Sequence, residues 1–339
     1  MKLAEYASYD AIGLAELVAR KHVSPKELAQ TAARAIEAVN GDINAVVETY
    51  PDRIDDLDEN RLGTGAFRGV PFLIKDVFGH EKGRRIEFGS RLCKDMLGET
   101  DSAVAILARA AGLNAVGRSA APEYSMSGTT EGALYGNTSN PWQKGYSAGG
   151  SSGGAQAAVT SGIVPVAHGS DIGGSIRIPA SWCGGVGLKP SRGRVPIGPT
   201  IDEGGFGMSM NFIQAKTVRD AAALLDCFAI PQIGDPFLIP KPEEAYASLA
   251  RKPARKLRIG LLTGPLAGVT TDAEVKAAVE AAGRKLAELG HWVEPAEADF
   301  GGLAAMHKLL DVWFFNFHAR LDGYAARTGR KPGPDTLEP

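Results

Sequence analysis

YSAGGSSGGAQAAVTSGIVPVAHGSDIGGSIRIPA, residues 146–180, sets two glycine-wrapped serine clusters on either side of a helix and a strand. The alanine-rich AQAAVTSG reads as a helix, IVPVAH (163–168) as a buried strand, and 169–180 as a loop. Working outward, GVPFLIKD (69–76) is an apolar run bounded by glycine and charge, a buried strand that ends in Lys75. DSAVAILARAAG (101–112) is a helix closed by glycine, and LNAVGR (113–118) another strand. This alternation predicts an α/β fold, a mixed, largely parallel central sheet covered by helices on both faces.

Two helices open the chain. Residues 11–22 carry apolar side chains at helical spacing, and Ser24-Pro25-Lys26-Glu27 is a capping box whose helix should stop near Asn40-Gly41. Residues 231–257, rich in proline and basic side chains, read as a surface linker. Beyond it LRIGLL (257–262) is a strand, Thr271 to Glu274 a capping box, the helix runs to Gly290, and HWVEPAEA resumes an extended path. Leu303, Met306, Leu310, Trp313, Phe317 and Leu321 then form one helical face, with Phe314 and Phe315 widening it, and read as core, with the aromatic stripe near 313–317 core or interface.

The totals exclude several function classes. With 37 basic and 39 acidic residues the net charge is −2, which gives no pull towards nucleic acid or anionic membrane. A solvated linker is the better reading of the basic run ARKPARKLR (250–258). Cys93, Cys183 and Cys227 form neither a disulfide framework nor a zinc-ligand set. No apolar run is long enough for a signal peptide or membrane span, so a cytoplasmic location is expected.

The glycine–serine stretch admits three readings. A flexible linker does not sit between two core strands, and a phosphate cradle needs a lysine followed by Ser or Thr that GGSSGGAQ lacks. A dinucleotide site would need an acid near the position of Asp171, but there the glycines deliver another serine, Ser175. Two Gly-wrapped serines 24 residues apart, with a lysine ending an apolar strand, point instead to one catalytic site. A serine hydroxyl needs a base, and a buried lysine, its charged form disfavoured by desolvation, can serve. Glycines beside Ser175 let consecutive backbone N–H groups converge on a developing oxyanion.

GGSSGG (149–154), GSDIGGSIRIPASWCGGVGLKPSRGRV (169–195), GVPFLIKD (69–76) and EGALYGNTSNPW (131–142) together resemble the amidase signature family of serine hydrolases, over residues from about 10 to 227. Separate segments in the right order make this specific. APEYSMSGTTEGALYGNTSNPW (121–142) and TGRKPGPDTLEP (328–339) look like the 6-aminohexanoate cyclic dimer hydrolase group within it. The resemblance implies a single amidase-signature domain over 1–339, with its signature core at about 65–227, the linker at about 231–257 and a further α/β part at 258–339. Because members of the family are usually longer, it also implies a fold cut short after Pro339.

Carried over residue by residue, the resemblance implies Ser175 as acyl nucleophile, Ser151 as bridging serine after a cis Gly150–Ser151 peptide, and Lys75 as terminal base. It implies an oxyanion hole from the N–H groups of Ile172, Gly173, Gly174 and Ser175, bracing by Asp171 and Arg177, support from Ser152, and substrate contacts from Ser125 and Ser127. No metal or organic cofactor is required. The implied partners are a small-molecule amide and water, with no nucleic acid and no membrane, and a homodimer is the one assembly allowed for. His168 reads as a satisfied histidine at a strand end and Cys183 as a small buried packing residue.

The reaction implied is amide hydrolysis through an acyl-enzyme. One alternative is the glutaminase subunit of a tRNA-dependent amidotransferase, disfavoured because PIGPTIDEGGFGMSMNF (196–212) is more like free-standing amidases. The other is an inactive fragment that keeps the fold as a scaffold.

Overall fold

The computed structural model describes residues 1–201, 204–265 and 269–339; Asp202 and Glu203 of the 196–212 stretch lie outside the described residues. The chain forms two compact units, Met1–Ala250 with Leu321–Pro339, and Arg251–Arg320.

The first unit is built on strands β1 (Val46–Thr49), β2 (Pro71–Lys75), β3 (Asn114–Ser119), β6 (Val166–Asp171), β7 (Val186–Gly187) and β8 (Met210–Ala215). The short pair β4 (Ser139–Asn140) and β5 (Gln143–Ser147) stands apart as a small antiparallel sheet. The six strands lie in the order β1-β3-β2-β6-β8-β7. β2 pairs in parallel with β3 and with β6, while β1–β3, β6–β8 and β7–β8 are antiparallel. Hence β2, β3, β6 and β7 point one way and β1 and β8 the other, the mixed, mostly parallel sheet that the strand–helix alternation predicts. β2, β3, β6 and β8 are buried along their whole length, as strands covered on both faces must be.

Helices α1 (Leu3–Ser8), α2 (Ala11–Ala19), α3 (Pro25–Ile43), α4 (Ala103–Ala111), α5 (Gly153–Thr160), α6 (Arg177–Cys183), α7 (Val218–Phe228) and α8 (Tyr246–Leu249) complete this unit. Alternation along β2 supplies two cores. Phe72 and Ile74 join Leu14, Leu107, Phe212 and Phe228 in one, whereas Leu73 joins Val116, Ala155, Ala158 and Ala167 in the other.

Local chemistry accounts for several helix ends. Ser24 Oγ accepts from the Glu27 N–H at 3.1 Å and opens α3, which runs past Asn40-Gly41 and stops where Asn44 takes a left-handed conformation. Two boundaries differ from the sequence reading. The strand expected at 163–168 begins at Val166 and runs to Asp171, because β8 pairs with it through Asp171 opposite Met210. The loop expected up to 180 becomes helical at Arg177, and Pro179 falls in the first turn, where its missing N–H costs nothing. The stretch read as a linker contains α8, whose Tyr246 and Ala247 amides donate to Asp226 at 2.8 and 3.0 Å.

The second unit holds a parallel pair, β9 (Arg258–Leu261) and β10 (Trp292–Pro295), joined through α9 (Ala273–Glu288). The cap of α9 is Asp272, which accepts from Glu274 N–H at 2.8 Å, so the expected Thr271 box is shifted by one residue. Helix α10 (Gly302–Thr328) follows. Its apolar face does not form the expected core, for Leu303, Met306 and Phe314 are 51%, 44% and 54% exposed. A two-stranded sheet carrying one helix, of which only Gly283 is buried, offers too little surface to enclose it. Among the described residues no helix is long and apolar enough to cross a membrane.

Candidate active site

Parallel pairing of β2 with β6 brings their C-terminal ends to one edge of the sheet, the side on which α/β folds assemble their sites. Lys75 ends β2, and Ser170 and Asp171 end β6. Ser151 stands just ahead of α5, and Ser175 in the turn between β6 and α6.

Lys75 Nζ lies 2.7 Å from Ser151 Oγ and 2.8 Å from Ser170 Oγ, and all three residues are buried. Burial pulls the Lys75 amine from the ordinary lysine value of 10.5 down to about 7, against partial opposition from the charges of Asp171 and Asp76. An amine of this kind exchanges its proton near neutral pH. The Gly150–Ser151 peptide is cis. Gly150 also has no room for a side chain, since a Cβ there would sit 2.2 Å from the Thr129 carbonyl oxygen.

Ser152 ties the pieces together. Its Oγ donates to the Ser170 carbonyl and accepts from the Ser170 N–H, both at 3.2 Å, and its own N–H donates to the Ser175 carbonyl at 3.1 Å. The two serine loops and the end of β6 are thereby fixed to one another. Ser175 is 7% exposed where Lys75 and Ser151 are 0%, so it is the one of the three that solvent reaches.

The Asp171 carboxylate holds the Ser175 loop. It accepts from the N–H groups of Gly174 at 2.8 Å and Ile176 at 3.1 Å, and from the Arg177 guanidinium at 2.9 and 3.0 Å. Burial alone would raise its pKa, but Arg177 and these backbone donors outweigh that and hold it below the usual carboxylate range. Among the described residues the N–H groups of Ile172, Gly173 and Ser175 have no protein acceptor, whereas that of Gly174 is taken by Asp171. Three of the four expected oxyanion donors are therefore available, and Gly174 is not one of them.

The 125–130 loop lies against the serine loop, because Thr130 Oγ1 donates to the Gly149 carbonyl at 2.9 Å and accepts from the Gly153 N–H at 3.1 Å. Ser125 is buried with no protein partner for its Oγ, while Ser127 is exposed and its hydroxyl lies 3.0 Å from that of Thr129. Ser170 and Thr130 were not singled out in the sequence. The signal for Ser170 was its position two residues beyond His168 on a strand paired with that of Lys75, legible only once the strand is extended to Asp171. The thiols of Cys93 and Cys183 are buried and pushed up to about 11 and about 12, which makes them poor nucleophiles.

Residues 27–328 match the Amidase family. This chain belongs to the amidase signature family. It is 39% identical over 295 residues to the 6-aminohexanoate-cyclic-dimer hydrolase of Paenarthrobacter ureafaciens, covering 85% of this chain and 59% of that protein. It is 35% identical over 336 residues to an acylamidase of Rhodococcus erythropolis, covering 93% of this chain and 69% of that one. The solved structure of 6-aminohexanoate cyclic dimer hydrolase complexed with substrate superposes with a TM-score of 0.92 at 35% identity, over 98% of this chain and 70% of that chain. The amidase-signature chain thus spans about three fifths of the length of the first of these relatives.

Proposed function

We propose that this chain carries the chemistry of a serine amidohydrolase that cleaves the carbon–nitrogen bond of small linear or cyclic amides, with Ser175 as nucleophile, Ser151 as proton relay and Lys75 as base. The observation that carries the reading is the buried Lys75 Nζ, 2.7 Å from Ser151 Oγ and pulled down to about 7. In its neutral form the amine donates to Ser170 Oγ and turns its lone pair to the Ser151 hydroxyl. Ser175 Oγ bonds to the amide carbon as its proton passes to Ser151 and that of Ser151 passes to Lys75. The N–H groups of Ile172, Gly173 and Ser175 stabilise the oxyanion. When the C–N bond breaks, Ser151 protonates the leaving nitrogen and recovers a proton from Lys75. Water then attacks the Ser175 ester over the same relay and releases the acid.

The substrate class follows from the relatives' names and is a cyclic or linear amide of the 6-aminohexanoate oligomer kind. The amidotransferase-subunit reading is weaker, because the stronger matches are named as 6-aminohexanoate-cyclic-dimer hydrolases and an acylamidase. Labelling of the chain with a fluorophosphonate, followed by peptide mass spectrometry, should modify Ser175. Lys75→Ala should slow that labelling by about 10²–10⁴-fold, the usual worth of a positioned base. Modification elsewhere, or equal rates in the two proteins, sinks the triad.

A further inference from the structure

The ladder between β2 and β6 stops short of the catalytic end. β6 pairs with β2 through Phe72 opposite Val166 and Leu73 opposite Ala167, two residues before Lys75. On its other side β2 remains paired with β3 up to Lys75 opposite Ser119, and the Asp76 N–H donates to the Ser119 carbonyl. The Lys75 N–H therefore faces β6 where no ladder carbonyl receives it, and it donates instead to His168 Nδ1 at 3.3 Å. The imidazole is fully buried. Space for it exists because residue 79 is glycine, where a Cβ would stand 2.5 Å from Nδ1 and 2.6 Å from Cε1.

We infer that His168 is a positioning residue for the Lys75 base, acting by accepting the Lys75 backbone N–H and so fixing where the strand ends and its Nζ begins. Resting on the triad reading, this goes one step further and names what holds the base in place. A buried N–H left without an acceptor would pull the end of β2 towards some other partner, and Nζ would lose its joint contact with Ser151 and Ser170. The role requires a neutral ring whose Nδ1 lone pair is free to accept, which puts the ring proton on Nε2. Burial supplies that state, together with the Lys75 charge, by pulling the imidazole down to about 3. His168 therefore does not itself carry protons during turnover. The charged groups that act on the buried Lys75 are Asp171 at the end of β6 and Asp76, the residue after the end of β2, beside the hydroxyls of Ser151 and Ser170; His80 acts on His168 through its charge.

The test compares His168→Asn with His168→Leu. These side chains have the same branching and nearly the same size, but only asparagine offers an acceptor where Nδ1 stood. Fluorophosphonate labelling of Ser175 should be about 10–100-fold slower in the leucine variant than in the asparagine variant, the scale of a catalytic group displaced by about 1 Å. The acid-side inflection of the labelling rate should move upward in the leucine variant, as a displaced amine regains water, and stay near the wild-type position in the asparagine variant. Gly79→Ala, which drives a Cβ into the ring while leaving His168 in place, should behave like His168→Leu; it keeps the inference testable if both His168 variants unfold. Equal rates in the asparagine and leucine variants would reduce His168 to packing and overturn the inference, as would a leucine variant at the wild-type rate. Wild-type labelling that ignores Lys75→Ala would instead bring down the triad, and the positioning role with it.

Discussion

Two buried cations stand on neighbouring strands, and they have opposite fates. Ile74 lies opposite Arg118 and Lys75 opposite Ser119 in the β2–β3 pairing, so the two sites are one residue apart in register. Around Arg118 the fold collects carboxylates: Glu48 at 2.7 Å, Glu87 at 2.6 Å and Asp76 in direct contact, with the Tyr135 hydroxyl at 3.4 Å. Burial works against its charge, but Asp76, Tyr135 and Glu87 outweigh it and push the guanidinium well above its ordinary value. Around Lys75 the contacts are hydroxyls, and burial wins. The lesson is that depth alone does not make a buried cation reactive. The charge of the atoms it touches decides whether it is a fixed strut or a group that gives up its proton.

The comparison breaks hardest at Arg118. Replacing it by methionine strands Asp76, Glu87 and part of Glu48 as uncompensated buried acids, and removal of one partner from such a cluster costs about 3–5 kcal/mol. Arg118→Met should lower the unfolding free energy by that amount, seen as a lower denaturant midpoint with an unchanged slope. A loss under about 1 kcal/mol would mean the carboxylates find water, and the strut reading would go.

Next in size is the pH dependence of acyl-enzyme formation. Lys75 must be neutral to accept a proton, so the rate of Ser175 labelling should fall about tenfold per pH unit below an inflection near 7 and level off above it. Arg118 keeps its charge over this range and contributes no inflection. A profile flat from pH 5 to 8 would remove the lysine from the relay.

How far the site was legible in the sequence follows the same divide. Lys75, Ser151 and Ser175 each sit in a local pattern, an apolar strand with a charged end or a serine wrapped by glycines, and the spacing of these patterns points to one site, while the choice of Ser151 over Ser152 rests on the family resemblance. The Arg118 cluster has no such pattern, because its partners come from residues 48, 76, 87 and 135 and meet only across the folded sheet. His168 reads in the sequence as a satisfied histidine at a strand end; the structure buries it inside β6 with no hydrogen-bond partner for Nε2 among the described residues, and what Nδ1 touches depends on where the β2–β6 ladder stops. Helices α2 to α5 and strands β2, β3 and β6 were legible from periodicity and caps, for instance Ser24 before α3 and Gly112 after α4, whereas β1, β7 and β8 carry no such pattern and α6 and α8 lie in stretches that read as loop and linker. The apolar face of α10 was legible but its cover was not, since apolar spacing says which side of a helix is ready to be covered and not what covers it.

The smallest effect is the sharpest test of the comparison, because here removal of a cation should help. An amine at about 7 in the folded chain and near 10.5 when unfolded binds fewer protons in the native state between those values. Wild-type stability should therefore rise with pH across that window, the full cost of burying the charge being present below pH 7 and gone above about 10.5. Lys75→Met removes the titrating group at similar volume, at the expense of two hydroxyl contacts worth about 1 kcal/mol each. The net expectation is a variant about 1–2 kcal/mol more stable than wild type near pH 7, with the advantage shrinking and then reversing as the pH approaches 10.5. Urea unfolding of both proteins at pH 7, 8.5 and 10 measures it. A wild type more stable than Lys75→Met at pH 7 would show that the Lys75 pocket compensates its charge as the Arg118 pocket does, and the contrast between the two cations would disappear.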